Sequence, residues 1–221
     1  MARKNKKLGQ YFAELMVVIV GITIAFALDN LGQIKKEQST EKLYLEALAL
    51  DLEKDIAQLT RFRDSTNTIL KNVGESFQYI YSNQPTEAFR RRHITSTYTA
   101  PYFHSNNGTY ISLINSGDMN VISDFELRTS IVDLYSVAYS EMEQQDVFIK
   151  KLVDDQIYPH MLRHITFSGM RDGIESSDIL KDNFTINLMG SYLNFLNRRQ
   201  VSYESVLNRC KALKELISSK L

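Results

Sequence analysis

The chain has 221 residues with 26 basic and 26 acidic side chains, so no strong net charge favours nucleic acid or a highly acidic partner. It contains only 9 Gly and 3 Pro, and so few helix breakers favour long helices. Cys210 is the single cysteine, which excludes an intramolecular disulfide scaffold and a cysteine-rich zinc site.

The N-terminal part of the chain, residues 1–32, has the pattern of a membrane span. Four basic residues and no acidic residue lie within residues 1–7, and the stretch 8–28 carries one charge, Glu14. At about 1.5 Å per residue, such a helix covers roughly 30 Å, the thickness of a hydrocarbon core. The positive-inside rule then predicts a cytoplasmic segment at 1–10, a transmembrane helix at 11–32 and an extracytoplasmic, periplasmic domain at 33–221.

Two other interpretations fit the same N-terminal residues. A basic start, an apolar stretch and Ala25-Phe26-Ala27 also describe a signal peptide that is cleaved after Ala27. We favour the uncleaved anchor because Glu14 interrupts the apolar stretch. A buried helix of a soluble protein fits less well, since residues 15–28 are apolar on every side rather than amphipathic.

Three residues of the span are candidates for contacts with lipid or with a partner. A carboxylate at membrane depth is costly, which makes Glu14 a functional hypothesis. A position at the headgroup level, beside the basic residues, is the simpler interpretation and the one that we favour. Gly21 and Ala25 form a small-xxx-small pair, which can let two helices approach closely but is also frequent by chance.

Residues 34–82 have the periodicity of an amphipathic helix. The stretch 35–42 contains no Gly or Pro, so we expect the anchor and this helix to form one unbroken stalk, with Gly74 as its weak point. The side chains that recur every seven residues are Leu45, Leu52, Leu59, Thr66, Val73 and Ile80.

The following segment combines a loop, a short helix and a turn. Residues 94–108 predict an ordered loop and residues 109–115 a short helix. Gly117 suits the C-terminal cap of that helix. Ser123 and Glu126 have the spacing of a capping box before the next helix. The turn formed by Ser116, Gly117, Asp118 and Asn120 is a candidate interaction site.

Two further long helices complete the predicted fold. The first extends to about residue 165, with Pro159 expected to kink or divide it, and its predicted apolar face includes Met142, Phe148 and Leu152. A loop at 167–183 precedes a final helix at 184–218, in which Cys210 is expected to be a buried apolar side chain. The sequence therefore predicts an all-α fold, in which a transmembrane helix continues into a stalk and an antiparallel bundle of about three long helices.

No catalytic motif is visible in the sequence. A glycine-rich phosphate loop, a G-x-S-x-G motif and an H-E-x-x-H motif are all lacking. His160 and His164 lie four residues apart and are a weak candidate for a metal pair, opposed by Pro159 in the same turn. We expect no enzymatic activity and no cofactor.

Three segments resemble an uncharacterised family of short, membrane-anchored helical proteins, found mainly in Bacteroidota and known only as a domain of unknown function. They are FAELMVVIVGITIAFALDNLGQ, YLEALALDLEKDI and TYISLINSGDMNVISDFELRTSIVDLYS. The resemblance covers about two thirds of the chain and is strongest at residues 12–56 and 109–136. It implies an uncleaved anchor and an all-helical exterior, but no activity. Asn30-Leu31-Gly32 stands where the family usually has a Trp.

We therefore expect a structural or protein-interaction component of the bacterial inner membrane, bound to the lipid bilayer and to another envelope protein or to itself, and not to nucleic acid. The alternatives are a ligand-sensing bundle that relays through a partner and a helical domain secreted after cleavage. A pocket lined by Tyr98, Tyr102 and Tyr110 would favour the sensor. An enzyme is the weakest of these interpretations.

Overall fold

The computed structural model describes residues 2–81, 93, 95–97, 99, 102–164 and 182–221, and for residues 2–10 it describes the backbone alone. The described residues form helices and connecting turns and no β-strand, which confirms the all-α class. The predicted loop at 167–183 lies mostly outside them. The elements are α1 (Ala2–Tyr81), α2 (Gly108–Ser116), a 3-10 turn (Asp118–Val121), α3 (Phe125–Val132), a π-helical turn (Asp133–Ala138), α4 (Tyr139–Leu152), a second π-helical turn (Val153–Ile157), α5 (Tyr158–His164) and α6 (Asn183–Ser218).

Helix α1 is one uninterrupted helix of 80 residues, which confirms that the anchor continues into the stalk without a break. At about 1.5 Å per residue it is roughly 120 Å long. Residues 11–39 are exposed on all sides, whereas from Thr40 onward the helix buries one face against the rest of the chain. The helix passes through Gly74 without a break.

The buried face of α1 is the predicted one. Its heptad positions supply the core of the bundle, together with Leu48 and Ile69. The heptad residues that are buried are Leu45, Leu52, Leu59, Thr66 and Val73.

The described residues of 93–124 run back along α1 in the opposite direction. Their contacts move toward the N-terminal part of α1 as the chain advances. The Asn72 amide donates to Ser96 Oγ (2.8 Å), the Asn106 amide to Asp55 (2.7 Å) and the Tyr44 hydroxyl to Asp118 (2.7 Å). This segment contains α2 but is irregular from 102 to 107.

Residues 125–164 form one continuous helical run, called the middle helix below, and α6 is antiparallel to it. Arg209 contacts Asp133 at 2.7 Å near one end of the pair, and Thr185 contacts His160 at 2.8 Å near the other. Helix α6 is also antiparallel to α1, because Lys214 pairs with Glu53 whereas Gly190 lies beside Phe77. The four segments in chain order are α1, the described residues of 93–124, the middle helix and α6. Each of the last three is therefore antiparallel to the segment before it.

The N-terminal cap of the middle helix differs from the sequence prediction. Asp124, not Ser123, is the N-terminal cap, since its carboxylate accepts from the Leu127 N–H at 3.0 Å. Ser123 instead donates its N–H and its hydroxyl to Glu41, at 2.8 and 3.0 Å. Pro159 follows directly on the second π-helical turn, where its missing N–H removes one helical hydrogen bond without ending the helix.

The core face of the middle helix was predicted wrongly at Phe148, whereas Leu152 is partly buried against the core as predicted. Phe148 is 62% exposed, and its neighbour Ile149 is buried. The spacing from Met142 to Phe148 is not a whole number of helical turns. The buried residue that continues the face is Asp146.

Candidate functional site

The candidate residues of the span lie apart from the bundle. Glu14, Gly21 and Ala25 are all exposed, and the structure brings none of them near another segment that it describes. The most apolar 18-residue window of α1 has a mean hydropathy of 2.3, and none of it is buried. By length and composition this helix qualifies as a membrane span, although an N-terminal signal sequence would qualify as well.

The predicted interaction turn is tied to α1. Gly117 has a positive φ of 76° and closes α2, as predicted. Asp118 accepts a hydrogen bond from the Tyr44 hydroxyl at 2.7 Å. Hydrogen bonds from Ser116 and Tyr44 lower the pKa of Asp118. Asp118 therefore positions the turn, while Ser116, Gly117 and Asn120 form its exposed edge.

His160 and His164 are neighbours, with ring centroids 4.6 Å apart. His160 Nε2 shares a hydrogen bond of 2.8 Å with the Thr185 hydroxyl, which connects the middle helix to α6. Burial and the adjacent His164 lower the pKa of His160. Within the described residues no group of three or more His, Cys, Asp or Glu side chains is placed to hold a metal ion.

The middle of the bundle contains a buried ion pair that the sequence analysis missed. Arg199 of α6 is completely buried, and Asp146 of the middle helix nearly so. Arg199 Nε lies 3.1 Å from Asp146 Oδ1, although the two are not aligned as a hydrogen bond. The Tyr203 hydroxyl donates to Asp146 Oδ2 at 2.7 Å and accepts from Arg199 Nη2 at 2.6 Å. Arg199 Nη1 has no hydrogen-bond partner among the described residues.

Two opposing influences set the proton affinity of Asp146. Burial raises the pKa of its carboxyl group, whereas Arg199, the Tyr203 hydroxyl and the Phe103 N–H lower it. The pKa is raised overall, because the loss of hydration destabilises the carboxylate more than these three partners stabilise it. Arg199 is thus the main group that favours the ionised form of Asp146 against the effect of burial.

A cleft of about 230 Å³ opens beside Asp146. Of the three tyrosines proposed to line a ligand pocket, Tyr102 lies in this cleft and under the Arg199 guanidinium. Tyr110 instead stacks on Tyr135, with ring centroids 4.8 Å apart, and Tyr98 lies outside the described residues. The cleft residues are Tyr102, Phe103, His104, Glu143, Asp146, Val147 and Lys150.

A second buried carboxylate belongs to Asp55 of α1, and both of its oxygens accept hydrogen bonds. Its Oδ1 accepts from the backbone N–H and the side-chain amide of Asn106, at 2.8 and 2.7 Å. Its Oδ2 accepts from the Tyr139 hydroxyl at 2.6 Å, and that hydroxyl also contacts Cys210 Sγ at 3.3 Å. Burial raises the pKa of the Cys210 thiol to about 12, so Cys210 is a buried, unreactive side chain as predicted.

The model of a family of unknown function, DUF6090, matches residues 14–197. The chain belongs to this family. No curated protein and no solved structure shows a significant similarity to it. The match includes most of the apolar N-terminal helix and the turn at 116–120, and it ends two residues before Arg199.

The polar residues of this DUF6090 protein were missed for an identifiable reason. Charged residues at helical spacing usually belong to solvated faces, and Asp and Arg are rarely buried unless they are paired. The burial of Asp146 could have been inferred from its spacing, because it lies four residues after Met142 and three before Ile149 on the core face. Its partner on α6 could not be identified from spacing alone.

Proposed function

We propose that this protein is a membrane-anchored, non-catalytic structural or protein-interaction component that holds a helical bundle outside the bacterial cytoplasmic membrane. The observation that carries the proposal is the two-part character of α1. Residues 11–34 include 14 large apolar side chains exposed on all sides, whereas the same helix forms one wall of the bundle from Thr40 onward. An apolar surface of this size on an isolated helix needs an apolar environment.

Two further observations support the anchor over a cleaved signal peptide. The family match begins at Glu14, so the segment that family members share includes most of the apolar helix. A helix without a break between span and bundle also holds the bundle close to the membrane surface, which suits an interaction component. The basic residues before the span favour a cytoplasmic N-terminus. The Bacteroidota origin and the inner-membrane location remain predictions.

The sensor and enzyme alternatives receive less support. The ion pair of Asp146 and Arg199 is buried and tied into the packing by Tyr203, so it fits a structural role. Of the two tyrosines of that predicted pocket that the structure describes, Tyr102 lines the cleft beside the ion pair and Tyr110 does not. No group of residues in the described part of the chain combines a nucleophile, a base and an open pocket.

Two measurements test the anchor and its orientation. Membranes of producing cells are washed with alkaline buffer, and the mass of the intact protein is determined. We expect a chain of 25.5 kDa that stays in the membrane pellet. A chain that begins at Leu28 and is recovered in the soluble fraction would refute the anchor.

Orientation is then measured by labelling single cysteines with a membrane-impermeant maleimide. The buried Cys210 should stay unlabelled in the folded protein, so the wild-type chain serves as background. Asn67→Cys, at an exposed position of α1, should be labelled in spheroplasts. Asn5→Cys should be labelled only after lysis. The reverse pattern would place the bundle in the cytoplasm and overturn the proposed location.

A further inference from the structure

One row of residues on α1 faces away from the bundle. At 3.6 residues per turn, positions i and i+18 fall on the same side of a helix, and positions i+7 or i+11 differ from i by only about 20°. Leu43, Leu50 and Ala57 form such a row and are exposed, Leu43 at 64% and Leu50 at 59%. We call these three residues the outer row.

Among the described residues no other segment covers the outer row, whereas the same side of α1 is covered nearer the C-terminal end of that helix. Glu75, which lies farther along α1 on the same side as Ala57, contacts His93 at 3.0 Å. The neighbouring Asn72 contacts Ser96 at 2.8 Å. Described residues of the returning segment therefore cover this side of α1 at its distal end, whereas at the outer row no described segment does so.

Charges of opposite sign lie on the two sides of the outer row. Lys36 and Lys54, which have the i and i+18 spacing, lie on one side. Glu46 and Asp64, with the same spacing, lie on the other together with Glu53, and these three acids outnumber the two bases on that side, Lys42 and Lys71. Apart from Glu53, which also pairs with Lys214 of α6, the contacts of these exposed residues are to residues of α1 itself.

We propose that the outer row of α1 is the contact surface for a second copy of this chain, forming a parallel, two-fold symmetric pair of stalks. The proposal rests on the proposed membrane anchor, because two copies inserted in the same orientation present their α1 helices in parallel. A two-fold axis along the stalks brings the acidic side of each helix against the basic side of the other. Glu53 and the partner's Lys54 are then at nearly the same height.

The same geometry disfavours other arrangements. An antiparallel pair would place the two acidic sides together and the two basic sides together, which is repulsive. The side of α1 that carries the outer row continues into the span through Ser39, Gly32 and Gly21, whose small side chains allow two parallel helices to remain close within the bilayer. An isolated stalk would leave Leu43 and Leu50 in water.

Thiol crosslinking in native membranes tests the proposal. Leu50→Cys is introduced into the full chain, and membranes are treated with a short bismaleimide. We expect a species of twice 25.5 kDa. Val201→Cys on α6 is the matched control, since Val201 is also apolar and is 72% exposed. Wild-type protein should give no crosslink because Cys210 is buried.

Several outcomes overturn the proposal. They are the absence of a dimer with Leu50→Cys, equal crosslinking of Val201→Cys, and capture of Leu50→Cys by a protein of another mass. Alkaline washing of the same membranes keeps the two proposals separate. A chain that stays in the pellet without crosslinking refutes the pairing alone, and a chain in the soluble fraction refutes the anchor.

A charge exchange tests the pairing independently of the cysteine. Lys54→Glu places an acid opposite the partner's Glu53 on both sides of the two-fold axis. Since exposed pairs are weak, we expect the yield of the Leu50→Cys dimer to fall by about fivefold. Adding Glu53→Lys restores opposite charges and should restore most of the yield. Equal loss in the single and the double variant would refute the arrangement.

Discussion

Replacing Asp146 with Leu leaves the Arg199 guanidinium buried without a counter-charge. Three groups that interact with the carboxylate lose it, namely Arg199, the Tyr203 hydroxyl and the Phe103 N–H. Breaking one side of a buried ion pair typically costs about 3–5 kcal/mol. A domain of this size is stable by only about 5–15 kcal/mol, so a large fraction of the folding free energy should be lost.

Arg199→Met should behave differently, because the group left behind can neutralise itself. Without Arg199 the pKa of Asp146, already raised by burial, rises further. The folded state then binds the proton more tightly than the unfolded chain, so the variant regains stability as the pH falls through that raised pKa. A guanidinium cannot be deprotonated in this range, so the cost of Asp146→Leu should remain when the pH is lowered.

The double variant, Asp146→Leu with Arg199→Met, removes both charges together. It still leaves the Tyr203 hydroxyl and the Phe103 N–H without their acceptor, which costs about 1–2 kcal/mol. We therefore expect it to be more stable than Asp146→Leu by about 2 kcal/mol. Urea unfolding of the full chain in detergent micelles, followed by circular dichroism at two pH values, measures all four proteins. Additive losses in the double variant, or an Asp146→Leu variant within about 1 kcal/mol of wild type, would refute the coupling.

Three further substitutions test other parts of the fold, all by urea or thermal unfolding. Asp55→Ala should destabilise the protein by about 3 kcal/mol, because it orphans buried donors of Asn106 and Tyr139; a loss below about 1 kcal/mol would mean that water replaces the carboxylate. Gly117→Ala should cost about 1 kcal/mol because of its φ of 76°, and an unchanged stability would contradict a left-handed cap. Asp182→Ala should lower the melting temperature at neutral pH. The backbone N–H of Thr185 is the main cause that lowers the pKa of Asp182, so this loss should shrink as the pH falls through the lowered value, and a constant difference would contradict the cap.

The helices were predictable where side-chain periodicity alone determines them. The heptad residues of α1 from Leu45 to Val73 are buried, as expected from their spacing. Cys210 on α6 is likewise buried, as predicted. The scarcity of Gly and Pro also predicted the unbroken length of α1. Each of these predictions depends only on the residues of a single helix, namely on their apolar periodicity or on the lack of helix breakers.

The returning segment was not predictable in this way, because it is held by side chains from other helices. Residues 102–107 are irregular, so their backbone N–H groups need acceptors outside a helix. Two of these N–H groups, and a third in the first turn of α2, donate to an aspartate, at distances of 3.2, 2.8 and 3.4 Å. The donor and acceptor pairs are Phe103 with Asp146, Asn106 with Asp55, and Thr109 with Asp51.

Asp146 and Asp55 are the positions at which the polarity of the sequence suggests exposure and the structure shows burial. An interpretation based on polarity places Asp146 and Asp55 on the solvated sides of their helices, because unpaired carboxylates avoid the core. In the folded chain they point at the irregular segment and satisfy N–H groups that would otherwise be buried without a partner. An irregular strip of backbone can therefore take the place of a fourth long helix, and the acidic residues that permit this are recognisable only once the segments are packed together.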